Sequence, residues 1–289
     1  MTHIERVWRN GLSLRAVGAA YFPKVLITWT LLVLEALLTL LLPLCIGRSV
    51  DALNRQSFSG LIELGVLIVA LIVIGSARRF YDTRAYSAIQ RDLSNSLVAR
   101  EKAKNLPMSK TVARVNLLGE LVEFLEQSLP TLILTGIMFV GILVVVFGID
   151  MRVMGLCFVT SILVVAIYWI SGGAYLRLNK GQNDEYERQL DTLALQDVGK
   201  VDRHFRRLMR WRVRLSDLET VNFSLVWVVL AAMLLGSIYF IVDNSTISPG
   251  QKITTIMYVF DYIEVVVGLP IFYQEALRLK DITGRLSSH

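Results

Sequence analysis

The sequence predicts an all-α membrane protein: six transmembrane helices with long cytoplasmic extensions. Three observations carry this. The 289 residues are 54% apolar and 19% charged, with a mean hydropathy of +0.54, more apolar material than a soluble domain of this length can hide. Six stretches approach the about 20 apolar residues that a helix rising about 1.5 Å per residue needs to cross about 30 Å of hydrocarbon. The connections between them alternate between short and long, and the basic residues collect on the long side.

The spans are expected at 25–46, 61–77, 130–147, 153–172, 223–242 and 253–273. The last is the most polar, because Asp261 and Glu264 lie within it. Ahead of the first, Glu5, Arg6, Arg9 and Arg15 precede any apolar core and no small-residue cleavage site follows, so this is not a signal peptide. Residues 1–21 read instead as an amphipathic segment along the membrane surface, with Val7, Trp8 and Leu12 set among arginines; residues 22–289 form the membrane domain.

Sidedness follows from charge. The short connections hold or border only Arg48, Arg55, Arg152 and Lys252, which leaves 26 of the 30 Lys and Arg on the other side. The positive-inside rule then places both termini in the cytoplasm. A bacterial inner membrane is the expected location. The two long inner connections, at 78–129 and 173–222, are rich in helix formers and poor in proline and glycine. Each reads as an out-and-back helical hairpin that continues the spans into the cytoplasm. Reversals are expected at Leu106-Pro107-Met108-Ser109, where proline removes an N–H and clashes with the preceding turn, and at Asp197 with Val198-Gly199-Lys200. Such tips are natural docking points for a partner.

Several segments in chain order resemble the transmembrane domain of exporter-type ABC transporters. Residues 42–53, Leu-Pro-Leu-Cys-Ile-Gly-Arg-Ser-Val-Asp-Ala-Leu, are similar to the family's end of its first span. Gln90-Arg91-Asp92-Leu93 through Lys104-Asn105-Leu106-Pro107-Met108-Ser109 resembles its approach to the first coupling helix, and Gly119-Glu120-Leu121 with the acidic run to Glu126 resembles the return. Ile247-Ser248-Pro249-Gly250-Gln251 opens the sixth span as in that family.

The departure is the missing motor. No G-x-x-x-x-G-K-[ST] phosphate loop occurs, and Ser171-Gly172-Gly173 ends a span as small packing residues. The chain is therefore expected to be a stand-alone form without a nucleotide-binding domain and not itself an enzyme; any ATPase would reside in a partner. The resemblance implies a dimer, taken here as a homodimer, in which the fourth and fifth spans cross between subunits. It also implies that residues 106–112 and 197–203 couple to an ATPase subunit.

The alternative energy source is a proton gradient. A charge inside a span costs about 3 kcal/mol on insertion scales and usually faces a cavity. Glu35 falls near the middle of the predicted first span; Asp261 and Glu264 are at i and i+3 in the sixth, on a face shared with Tyr258 and Val265. Doubled in a dimer, these acids suit proton exchange or a cationic cargo, or Glu35 simply pairs with a neighbouring helix. Glu63, Glu120, Glu123 and Glu126 rank lower.

Other chemistry is not signalled. Cys45 and Cys157 sit in apolar runs, the three histidines are scattered, and no metal set, catalytic triad or cofactor motif can be drawn. Arg203, Arg206, Arg207, Arg210, Arg212 and Arg214, with Trp211, read as a membrane-proximal helix touching anionic lipid headgroups rather than nucleic acid. The expected function is a permease subunit moving a medium-sized, amphipathic or peptide-like solute; a non-transporting scaffold that kept the fold is the alternative.

Overall fold

The computed structural model describes residues 19–103, 108–194 and 197–287, with side chains described as far as Gly268. The amphipathic segment expected at 1–21 lies almost wholly outside these residues, as do Leu106 and Pro107 of the first tip. Among the described residues there is no strand. The helices are α1 (Phe22–Asn54), α2 (Ser59–Ala103), α3 (Met108–Glu123), a π-helical segment (Phe124–Ser128), α4 (Leu129–Ile149), α5 (Met151–Glu187), α6 (Gln189–Ala194), α7 (Val198–Asp243) and α8 (Pro249–Ser287). Five helical stretches are long and apolar enough to cross a membrane. The sixth predicted span lies within the unbroken α8.

The long inner connections are helical continuations, as expected. Helix α2 runs for 45 residues and α7 for 46, each about 68 Å at about 1.5 Å per residue, over twice the hydrocarbon thickness. The predicted cytoplasmic end is called the inner end below.

Contacts divide the chain into two compact units, residues 1–149 with 245–289, and residues 150–244. In the first, α1 and α2 form an antiparallel hairpin reversed by the turn after Asn54, where Gln56 takes a positive φ of 58°. Helix α8 packs on α1, α3 and α4, and α3 on α2. The inner extensions carry their own core. Tyr86, Ile89, Leu93 and Leu97 recur along one face of α2 and meet Leu118, Leu121, Val122 and Leu125, with Tyr21 alongside. Such three- and four-residue spacing is the helical signature of a buried stripe, and each fully buried side chain contributes about 1.5–3 kcal/mol.

At the outer end the segment around Gly47 gains a structural meaning. A Cβ on Gly250 would stand 2.0 Å from the Gly47 carbonyl oxygen, and one on Gly47 would stand 2.0 Å from Thr254 Oγ1. The missing side chains let α1 and α8 touch. Asp51 then accepts hydrogen bonds from the Gly250 amide at 2.7 Å and from the Ser248 hydroxyl, tying the first turn of α8 to α1.

The second unit is the hairpin of α5 and α7 with α6 at its tip. Val153, Cys157, Thr160 and Val164 of α5 are buried, as are Val226, Leu230, Met233 and Ile241 of α7. Both cysteines of the chain are free thiols in helices, consistent with apolar packing. Two helices can bury only the stripe between them, so Trp169 and Ile170 remain more than 80% exposed within this unit. Its outer end is closed by polar groups. Asp150 caps α5 by accepting from the Arg152 amide at 2.9 Å, and Asn244 donates to the same carboxylate at 2.7 Å. Arg152 also pairs with Asp243 at 3.0 Å.

Candidate functional site

The acids singled out in the sequence all belong to the first unit, but they occupy different environments. Counting back from the turn after Asn54, the antiparallel register sets Glu35 opposite Arg78, one residue beyond the predicted end of the second span. Helix α1 continues for 13 residues beyond Glu35, to Phe22, so this pairing lies within the α1–α2 hairpin. Val25, nearer the start of α1, packs on the inner core. Arg78 donates through Nε to the Glu35 carboxylate, and its Nη1 lies 3.6 Å from Asp82 on the next turn of α2. Glu35 therefore pairs with a neighbouring helix. Gly75 makes room for this carboxylate, since a Cβ there would stand 3.2 Å from Glu35 Oε1.

On α8, the shared face of Tyr258, Asp261 and Glu264 divides. Tyr258 is fully buried and donates its hydroxyl to the Leu40 carbonyl, while Thr254 donates to the Pro43 carbonyl at 3.0 Å. Both bonds tie α8 to the backbone of α1 on either side of the turn that ends at Pro43. Asp261 is half-buried and Glu264 exposed. At about 100° per residue, Glu264 stands about 120° around the helix from Tyr258, which separates a packing residue from an outward-facing acid. The register fixed by the Thr254 and Tyr258 bonds carries Glu264 to the level of residue 34 of α1, so Glu35 and Glu264 lie at similar depth.

Three residues that the sequence did not single out complete the Glu35 region. Asp82 of α2 is 6% exposed, Tyr86 one turn on is 1% exposed, and Thr28 of α1 is fully buried. The Thr28 hydroxyl stands beside the Asp82 carboxyl as its hydrogen-bond partner, and Trp29 beside the Tyr86 hydroxyl. Glu126 of the π-helical segment, ranked low in the sequence, interacts electrostatically with both Asp82 and Tyr86. Asp82 and Tyr86 lie beyond the apolar part of α2 and Glu126 ahead of that of α4, all on the inner extensions. Burial first, and then the charges of Asp82 and Glu126, push the Tyr86 phenol up to about 12 against the lowering effect of its hydrogen bond with Trp29, so near neutral pH it keeps its proton. An Arg-Arg pair directly after an apolar span with an acid at i+4 was the available signal for this constellation; the approach of Glu126 had none.

The hairpin tips can be placed in part. Helix α2 ends at Ala103 and α3 begins at Met108, which bracket the predicted reversal, and Met108 and Val112 are exposed. Ser109 follows in the first turn of α3 and is also exposed. At the second tip Asp197 caps α7, accepting from the amides of Gly199 at 2.9 Å and Lys200 at 3.2 Å, and Val198 is exposed. The break falls where the sequence predicts it, preceded by the separate helix α6, which the sequence did not signal.

Above this tip, His204 and Glu185 form a buried pair joined at 2.9 Å, which bridges α7 to α5. Trp211 lies against Gly181, and the arginines at 203, 206, 207, 210, 212 and 214 are all exposed. Among the described residues no group of three metal-ligating side chains assembles.

Long, apolar helices of this kind are those of a multi-pass membrane protein. Over residues 14–250 the chain matches the ABC transporter transmembrane region, and it belongs to that family. No curated protein matches it.

Proposed function

We propose that the protein is a permease subunit that moves a medium-sized, amphipathic or peptide-like solute across a bacterial inner membrane by alternating access as a homodimer. Its energy comes from a separate ATPase subunit docking on residues 106–112 and 197–203, or from a proton gradient acting on Glu35, Asp261 and Glu264. Membership of the ABC transmembrane family carries this reading. The exposed apolar side chains Met108, Val112 and Val198 at the two tips support the docking role, since exposed apolar residues grouped at a helix tip are what a partner covers. Both termini are cytoplasmic in this arrangement, and the arginine-rich start of α7 contacts anionic headgroups.

Reconstitution tests it. Proteoliposomes would be offered a fluorescent cationic peptide library from outside and driven either by a pH step or by ATP with a co-purified ATPase. Proton drive predicts uptake without nucleotide that falls at least tenfold in Glu35→Gln and Asp261→Asn; unchanged uptake in both variants removes those acids from the pathway. ATP drive predicts that an ATPase co-purifies and is lost when residues 106–112 are replaced. No transport under either force refutes the permease reading.

A further inference from the structure

We propose that one face of α2 binds a single anionic phospholipid of the inner leaflet, with its acyl chains along Val69, Val73 and Phe80 and its phosphate on Arg84, Ser87 and Arg91.

At about 100° per residue, positions 69, 73, 80, 84, 87 and 91 fall within about 60° of the circumference of α2, so they form one straight stripe. Its outer part is apolar and open, with Val69, Val73 and Phe80 each at least 60% exposed. Beyond Phe80 the same stripe turns polar, and Arg84, Ser87 and Arg91 are all exposed. The change falls just past residue 77, the expected end of the second span. Val69 and Phe80 are 11 residues apart, about 16 Å of helix, which matches one leaflet of a hydrocarbon core about 30 Å thick. Apolar length followed by a basic end is the complement of a phospholipid, chains first and then phosphate.

Arg84 is already turned toward the bilayer. Helical side chains lean toward the helix N-terminus, which in α2 is the outer end. The Arg84 guanidinium carbon lies 3.3 Å from the centre of the Phe80 ring, one turn back, and Nη1 donates to the Phe80 carbonyl at 2.9 Å. Stacking on the ring holds the guanidinium plane in place, and its remaining N–H groups are free to fork onto phosphate oxygens. Among the described residues Arg84 enters no ion pair, whereas Arg91 is engaged by Asp92 at 3.1 Å. Arg84 is therefore the primary phosphate ligand and Arg91 the secondary one. A shallow hollow of about 490 Å³ lies on this basic part, lined by Thr83, Arg84, Ser87, Ala88 and Arg91. Among the described residues its lining carries two hydroxyls and two guanidinium groups and no acid, the donor set that a phosphodiester needs. The site belongs to the first unit, uses none of the α7 arginines, and is independent of the cargo and of the energy source.

Native mass spectrometry of the full chain, released from phosphatidylcholine nanodiscs with graded phosphatidylglycerol, counts the retained lipid. Wild type should retain one phosphatidylglycerol per chain in preference to phosphatidylcholine. Arg84→Gln should weaken that retention about fivefold, the effect of one arginine near an anionic lipid surface, and Arg84→Lys should weaken it less, because the charge remains while the fork is lost. Arg55→Gln, which removes an exposed arginine from the turn after α1, should leave it unchanged. In wild type, phosphatidylglycerol with a photoactivatable acyl chain should crosslink to residues 69–80 more than the matching phosphatidylcholine does, a readout that needs no variant to fold. Unchanged retention in Arg84→Gln, an equal loss in Arg55→Gln, or crosslinks that do not favour phosphatidylglycerol at residues 69–80 would each overturn the site. So would spontaneous disulfide-linked dimers of Ser87→Cys, which would put a second copy of the chain on this face.

Discussion

Arg78 is the residue on which the acid cluster depends, because one guanidinium serves carboxylates from two helices. Arg78→Met should cost about 3–5 kcal/mol, the usual penalty for stranding buried charge. Glu35→Gln should cost clearly less, because Asp82 keeps the arginine paired; unfolding monitored in nanodiscs compares the two, and equal losses would contradict this hierarchy. Asp150 gives a pH signature at the outer end. Burial works against its ionised form, but the hydrogen bonds from Asn244 and Arg152 outweigh that and hold the carboxyl below its ordinary value. The unfolded chain therefore takes up this proton first. The stabilisation is complete above the ordinary carboxylate range and is lost as pH falls through the depressed native value. Asp150→Asn should flatten the acid limb of a thermal-unfolding profile between about pH 5 and pH 2. Sequence alone flagged Glu35, Asp261 and Glu264 by their apolar surroundings, yet environment depends on what lies opposite. Nothing local distinguishes Glu264, which faces outward, from Tyr258, which is consumed by a backbone carbonyl.

Helices were legible where composition and punctuation agree. The missing prolines and glycines of the inner connections became continuous α2 and α7, and the Asp197 cap fell at the predicted break because its carboxylate satisfies two otherwise unpaired amides. Asp197→Ala should cost about 1 kcal/mol and raise amide exchange only in the first turns of α7; a global rise would mean that the cap supports more than its own helix. The break between α5 and α6 escaped prediction because no proline or glycine stands at the site, whereas the π segment has a signal in Pro130, whose missing N–H leaves the Glu126 carbonyl without its helical partner. The contact of α1 with α8 depends on an absence of side chains. Gly250→Ala should destabilise by about 1–3 kcal/mol through overpacking, with a smaller effect at Gly148, where a Cβ meets nothing within 4 Å. Similar losses at both positions would refute the close-contact explanation.

At the scale of the molecule, hydropathy located the membrane spans, whereas depth required pairing. The α1–α2 register sets Glu35 against Arg78, just past the predicted second span, information that no window on one helix contains. A homodimer should appear in native mass spectrometry from nanodiscs as a species of twice the 32.6 kDa chain mass; a monomer alone would contradict the proposed assembly.

The hydrogen bond between Asn244 and Asp150 has a topological consequence. Because the segment from 150 to 244 begins and ends at one pinned point, it resembles a cassette inserted at a single joint of the chain. Ile149 and Ser245, its chain neighbours, are the points at which a short glycine linker would bypass it. In evolutionary terms such a cassette can be lengthened, exchanged or retuned at its far tip without rewriting the rest of the protein.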